Sequence, residues 1–323
     1  MQQFIQQANQ FGKTRQPFFF LIDFEQQKPL IFPLEQAKQH SLYFALAGIS
    51  NVDWQSTLLN ETAQLALSPM PFAQYQQGFA RVQQGLQHGD SYLLNLTYPT
   101  EIQTNYNLRQ IFQRADAPYK LLWDNQFVCF SPESFVQIQA NQIFTYPMKG
   151  TINAALPNAE QQLLNDAKEQ REHYTIVDLM RNDLAMIAQN IEVTRFRYVQ
   201  KVRTERGEIL QTSSEIRGDL SPFWQDQIGE ILAKLLPAGS ISGAPKTSTL
   251  QIIQQAEQQP RGYYTGIFGV FTGESLQSAV AIRFIEQRQN KLYFRSGGGI
   301  TIQSDARAEY DEMLQKVYLP FKD

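Results

Sequence analysis

Residues 17–24, Pro-Phe-Phe-Phe-Leu-Ile-Asp-Phe, form a near-continuous apolar run of strand length. Such a run predicts a buried strand. Residues 41–49, Ser-Leu-Tyr-Phe-Ala-Leu-Ala-Gly-Ile, predict another. Thr57 to Leu67 has a helical pattern, broken by Pro69 and Pro71. A second helix follows, with Phe72, Phe79, Val82 and Leu86 on its inner side.

His88-Gly89-Asp90 is a turn into a strand over 91–97, and a short helix falls near 108–114. Strands are predicted over 120–130, 135–140 and 142–146. A long helix runs from about Asn158 to Gln189, with Asn158 as its N-cap and Gln161 three residues on. Strands follow near 191–202 and 209–216. Ser221-Pro222 opens a helix that ends at Pro237. A glycine-rich loop leads to a helix ending near Ala256. The last third reads as a meander over 263–271, 278–286 and 291–296, closed by a helix from about Ser304. Strands come in antiparallel-looking groups between long helices, with no repeated β-α-β period. No linker rich in Pro, Gly or Ser divides the chain, so residues 1–323 read as one α+β unit.

Composition narrows the class. The chain has 323 residues, 42% hydrophobic and 12% aromatic, which suits a globular protein with a sizeable core. A net charge of −3 argues against nucleic acid as the main partner. Cys129 is the one cysteine, so no internal disulfide forms and a reducing cytoplasm is expected. The first residues lack a signal-peptide pattern, and no apolar run approaches the ~20 residues of a membrane span. His40, His88 and His173 are scattered and leave no zinc site.

The candidate chemistry centres on Lys149, in Thr145-Tyr146-Pro147-Met148-Lys149-Gly150-Thr151. It is expected just past a strand end, with Gly150 allowing a turn and Thr151 placing a hydroxyl beside the amine. Partial burial would lower its pKa and make it a nucleophile. Glu169 and Glu172 lie three apart on one helix, and Glu309 and Glu312 repeat the spacing on another, with Lys316 continuing the stripe. Two such pairs suit Mg²⁺, a hard ion that takes oxygen ligands; a solvated charged face has the same spacing. Gly239-Ser240-Ile241-Ser242-Gly243-Ala244-Pro245-Lys246 precedes a helix and fits an anion or a tight connection. It lacks the Lys-Ser/Thr pair of a phosphate loop. Gly297-Gly298-Gly299 reads as a turn or as a close backbone approach to a ligand. Arg283 is expected inside a strand beside Ala279 and Ala281, facing a pocket or solvent. Glu133, between two strands, is a turn residue or a general acid.

These residues, in this order, resemble the chorismate-utilising enzymes. The matching stretches are Ser131-Pro132-Glu133, Pro147 to Thr151, Glu172 to Leu184, Gly239 to Lys246, Ala281-Ile282-Arg283 and Gly297 to Ile300. The resemblance implies the family's chorismate-binding fold, with antiparallel sheets packed at the core and helices outside. Residues 71–323 would form the catalytic core, and 1–70 a short, divergent N-terminal part. Lysine at 149 marks the members that put an amino group at C4 of chorismate, on the way to 4-aminobenzoate and folate. The alternatives are an anthranilate-forming subunit and a non-catalytic chorismate-binding subunit.

The resemblance also implies roles. Glu172 and Glu312 would hold Mg²⁺, with Glu169 and Glu309 beside them. Thr151, Ser240, Arg283, Lys316 and the backbone near Gly297 and Gly299 would bind substrate. Glu133 would be the general acid and Lys149 the nucleophile. Water-activating relatives carry lysine where this chain has Leu93, and many anthranilate-forming relatives carry histidine where it has Gln211. No Leu-Leu-Glu-Ser signature is present, so feedback by tryptophan is not expected. Nor does the chain show a glutaminase, so ammonia would come from solution or from a glutamine amidotransferase subunit.

Overall fold

The computed structural model describes residues 1–54, 62–204 and 207–321. In chain order the first elements are α1 (Gln2–Lys13), β1 (Phe18–Ile22), β2 (Leu30–Pro33), β3 (Leu42–Leu46), β4 (Ile49–Ser50), β5 (Leu65–Ser68), α2 (Phe72–His88), β6 (Leu93–Thr104) and α3 (Leu108–Arg114). Then come β7 (Tyr119–Trp123), β8 (Phe127–Ser131), β9 (Ser134–Gln139), β10 (Gln142–Thr145), β11 (Met148–Asn153), α4 (Ala159–Asn165), α5 (Ala167–Ala185), β12 (Gln189–Thr204) and β13 (Gly207–Asp219). The remainder is α6 (Ile228–Leu235), β14 (Gly243–Ala244), α7 (Lys246–Glu257), β15 (Ile267–Phe271), β16 (Leu276–Val280), β17 (Phe284–Arg288), β18 (Lys291–Ile300) and α8 (Ala306–Gln315).

Among the described residues the strands form two sheets of nine. The first runs β11-β13-β10-β9-β16-β15-β1-β2, with β12 also on β13; the second runs β14-β6-β18-β17-β8-β7-β3-β4, with β5 also on β6. Every pairing is antiparallel. β1 explains its own apolar run. Phe19 and Leu21 face a core shared with the second sheet, where Phe19 stacks on Phe44 at 5.1 Å. Phe18, Phe20 and Ile22 face the opposite core, under α1 and α6. A strand covered on both sides has no reason to alternate. Residues before 71 therefore contribute strands to both sheets.

Several expected elements differ. The helix predicted over 57–67 is not found where it can be judged: residues 57–61 lie outside the described residues, and Leu65–Ser68 is strand β5 on β6. The strand predicted over 120–130 is the hairpin β7–β8, turned at Asn125 with φ 61°. The long helix from Asn158 splits into α4 and α5. Asn158 sits at φ 52° without a side-chain cap bond, and Asp166 caps α5 by accepting from the amides of Lys168 and Glu169. The strand predicted over 278–286 breaks into β16 and β17 as the chain passes from one sheet to the other. Helix α1 and strand β2 lie in stretches where no element was expected.

Candidate active site

Lys149 is not on a loop beyond a strand end. It lies in β11, where Lys149 and Gly150 together oppose Thr212 alone between the pairs Met148–Ser213 and Thr151–Gln211. Two residues against one make a β-bulge, which re-aims a side chain. Gly150 takes φ 90°, a value that favours glycine. A methyl there would come 3.0 Å from Glu169 Oε2. The Thr212 hydroxyl donates to the Lys149 carbonyl and pins the bulge.

The bulge delivers the amine to carboxylates. Lys149 Nζ lies 2.7 Å from Glu172 Oε2, and Lys168 Nζ, one turn earlier on α5, lies 3.8 Å from Glu172 Oε1. Burial works to lower the Lys149 pKa, as expected, but Glu172, Glu169 and Glu312 outweigh it and the net direction is upward. The expectation of a lowered pKa is thus corrected for the free protein.

Two adjoining cavities of ≈ 560 and ≈ 300 Å³ share Lys149, Thr151, Glu172, Arg283, Gly299, Glu312 and Lys316. Glu169 and Glu309 line the larger; Glu133, Ser240 and Gly297 line the smaller. The structure therefore brings all twelve candidate residues to one connected space of small-ligand size.

The glutamates of α5 and α8 face one another across it. Lys316 Nζ lies 2.8 Å from Glu312 Oε1, so each inner glutamate is paired with a lysine. Among the described residues no three acidic, histidine or cysteine side chains already converge on a metal position. The donor chemistry still fits a hard cation. It is all oxygen, and Glu169 Oε2 is buried without a hydrogen-bond partner. Burial raises the pKa of Glu169 and Glu309, while at Glu312 burial is outweighed by Lys316, Lys149 and Lys168 and the pKa falls.

Glu133 sits between β8 and β9. Ser240 Oγ donates to its Oε1 at 2.5 Å, so Ser240 addresses the acid directly. Burial raises the Glu133 pKa, with Ser240 and Arg283 pulling the other way. Arg283 is not inside a strand. It takes φ 52° in the link between β16 and β17, and its Nε donates to the Tyr318 hydroxyl at 3.3 Å. The three glycines are not a turn either: Gly297, Gly298 and Gly299 continue β18 opposite Thr97, Leu96 and Asn95. A methyl at 297 would meet Leu96 O at 2.3 Å. At 298 it would face Glu309 Oε2 at 3.3 Å, and at 299 Lys149 Nζ at 3.7 Å. Lys316 Nζ also donates to Gly297 O at 2.8 Å, and burial lowers its pKa against the pull of Glu312. Leu93 and Gln211 line the smaller cavity.

Sequence reasoning missed three contributors. Lys168 was findable, since it lies four residues before Glu172 on one helical face. Thr212 and Tyr318 carried no signal; only the folded chain sets them beside Lys149 and Arg283.

The profile of the chorismate binding enzymes matches residues 55–321. The chain belongs to that family. It is 67% identical over 317 residues, 98% of both chains, to an uncharacterized PabA-like protein of Pasteurella multocida. It is 31% identical over 266 residues to aminodeoxychorismate synthase component 1 of Salmonella typhimurium, covering 77% of this chain and 57% of that one. The chain thus spans less than two thirds of that relative's length. Its fold is that of the menaquinone-specific isochorismate synthase of Escherichia coli, with a TM-score of 0.70 at 18% identity over 98% of this chain and 80% of that one. As a family member, the chain is a chorismate binding enzyme. Among the described residues no helix is long and apolar enough to cross a membrane.

Proposed function

We propose that the chain is an aminodeoxychorismate synthase component, making 4-amino-4-deoxychorismate from chorismate and ammonia for 4-aminobenzoate and folate synthesis. The observation that carries this reading is the placement of Lys149 on a bulge, its Nζ within the cavity that Glu133 also lines. Arg283 and Lys316 hold the substrate carboxylates, and the glycines of β18 leave room beside them. Thr151 contributes a hydroxyl to the same wall. The neutral amine of Lys149 attacks C2, both conjugated ring double bonds shift, and the C4 hydroxyl leaves as water with the proton of Glu133. Ammonia then attacks C4, both double bonds shift back, and the C2–N bond to Lys149 breaks. Two allylic displacements return the new amine to the carbon that lost the hydroxyl.

Glu172 and Glu312 would hold Mg²⁺, with Glu169 and Glu309 beside them. The ion would bind the ring carboxylate and neutralise the carboxylates that keep Lys149 charged. Leu93 offers no base toward water, which favours ammonia over isochorismate chemistry. Cys129 is buried in β8, its thiol donating to Ile282 O and its pKa pushed up by burial, so it is unsuited to glutamine hydrolysis. Ammonia is supplied from solution or by a separate glutamine amidotransferase subunit, and the free thiol suits the cytoplasm.

The test is product analysis with chorismate, Mg²⁺ and ammonium. Aminodeoxychorismate without pyruvate supports the reading. Anthranilate with pyruvate would assign the chain to the anthranilate branch, and bound but unchanged chorismate would make it a binding subunit.

A further inference from the structure

Two ion pairs outside the reacting set end on the same loop, one with a half-buried lysine and one fully buried. Asp183, near the C-terminal end of α5, lies 2.9 Å from Lys246 Nζ, and its side chain is 7% exposed. Lys246 also donates to Leu235 O at 3.1 Å. The other carboxylate oxygen of Asp183 leaves no room for a side chain at Gly239, where a methyl would come within 2.9 Å. On the far side, Glu257 and Arg261 pair at 2.7 Å with side chains 1% exposed. Arg261 donates to Ile241 O at 3.0 Å and to Asn95 O at 2.6 Å, while Glu257 accepts from the amide and hydroxyl of Thr97. Asn95 N in turn donates to Ser242 O. Between these anchors stands Ser240, whose hydroxyl donates to Glu133 Oε1 at 2.5 Å.

We propose that Asp183 and Lys246, opposite the Glu257–Arg261 anchor, are positioning residues that hold the 239–243 loop so that Ser240 occupies Oε1 of Glu133 and leaves Oε2 to carry the catalytic proton. This rests on the role of Glu133 in the function proposed above. Paired charges suit the task, because moving Lys246 strands buried Asp183, and moving Glu257 or Arg261 strands its partner, in a poorly solvated place. An acid must present its proton within hydrogen-bond reach of the leaving oxygen, and fixing one carboxyl oxygen orients the other. Lys246 therefore acts on the acid and binds no phosphate.

The test compares wild type with Asp183→Asn, Lys246→Met, Lys246→Arg and Ser240→Ala, each assayed with chorismate, Mg²⁺ and ammonium across pH. Loosening the loop lowers kcat roughly tenfold to a hundredfold, with KM for chorismate changed much less. The Ser240 hydrogen bond pulls the Glu133 pKa down, so losing it lets burial push that pKa higher. The alkaline limb of the pH–rate profile then moves to higher pH in Asp183→Asn, Lys246→Met and Ser240→Ala alike. Arg283, Lys149, Lys316, Glu172 and Glu312 also line the cavity and are unchanged in every variant. Lys246→Arg keeps the ion pair and restores the wild-type limb. Adding Lys246→Met to Ser240→Ala produces no further shift, since both act through one hydrogen bond. An unmoved limb, or losses that add, would overturn the proposal. Circular dichroism confirms folding; if Lys246→Met does not fold, the near-isosteric Asp183→Asn decides. A wild type inactive with chorismate and ammonium would defeat the proposed function instead, which separates the two failures.

Discussion

Lys149 Nζ and Glu172 Oε2 lie 2.7 Å apart, so the candidate nucleophile and a candidate metal ligand neutralise each other in the free protein. Lys316 and Glu312 repeat the relationship at 2.8 Å on the facing helix. Each lysine is held by a carboxylate that the proposed chemistry assigns to a cation. Under that proposal, binding the metal would also free the amine.

Metal dependence follows. Chelation is expected to abolish turnover and added Mg²⁺ to restore it. Glu172→Gln and Glu312→Gln each weaken Mg²⁺ binding by at least about tenfold, read by calorimetric titration of the free protein. Unchanged affinity in both would remove the metal from these helices.

Glu133 gives a pH signature. Burial raises its pKa, so the proton is retained further toward neutrality than in an ordinary carboxyl. In the role proposed for Glu133 the protonated form is the active one, and kcat is therefore expected to fall as pH rises through the raised pKa. Glu133→Gln has no proton to give and costs about 10²–10⁴-fold in kcat, with that limb gone. The pH–rate profile of the two proteins checks both points.

The glycines of β18 separate fold from ligand. Gly297→Ala drives a methyl to 2.3 Å from Leu96 O and destabilises the protein by about 1–3 kcal/mol or more. Gly299→Ala meets only the tip of Leu93 at 3.3 Å and the lysine amine at 3.7 Å, so it keeps stability and raises KM for chorismate. Urea unfolding and steady-state kinetics distinguish the two.

Glu257→Gln leaves Arg261 charged and buried without its counter-ion. Breaking such a pair costs about 3–5 kcal/mol, measurable as a lower urea midpoint with an unchanged slope.

The candidate side chains were legible because chemistry-bearing residues stood at turn residues or at helical spacing: Lys149 before Gly150, Glu133 after Pro132, and two pairs of glutamates three apart. Their settings were not. Gly297 to Gly299 look like a turn by local preference, yet pairing with residues 95–97 holds them in a strand. Arg283 falls in an apparent strand because both flanks are apolar, and the switch between sheets depends on partners distant in sequence. The ionisation of Lys149 was misjudged for the same reason. Burial can be guessed from neighbours in the chain, but Glu169, Glu172 and Glu312 arrive only through folding.

Lys149→Ala, assayed for aminodeoxychorismate with chorismate, Mg²⁺ and saturating ammonium, tests the proposed covalent chemistry most directly. Loss of the nucleophile predicts a rate lower by at least ~10²-fold, with chorismate still bound and the fold intact. Formation of aminodeoxychorismate by the variant at the wild-type rate would contradict covalent catalysis by Lys149.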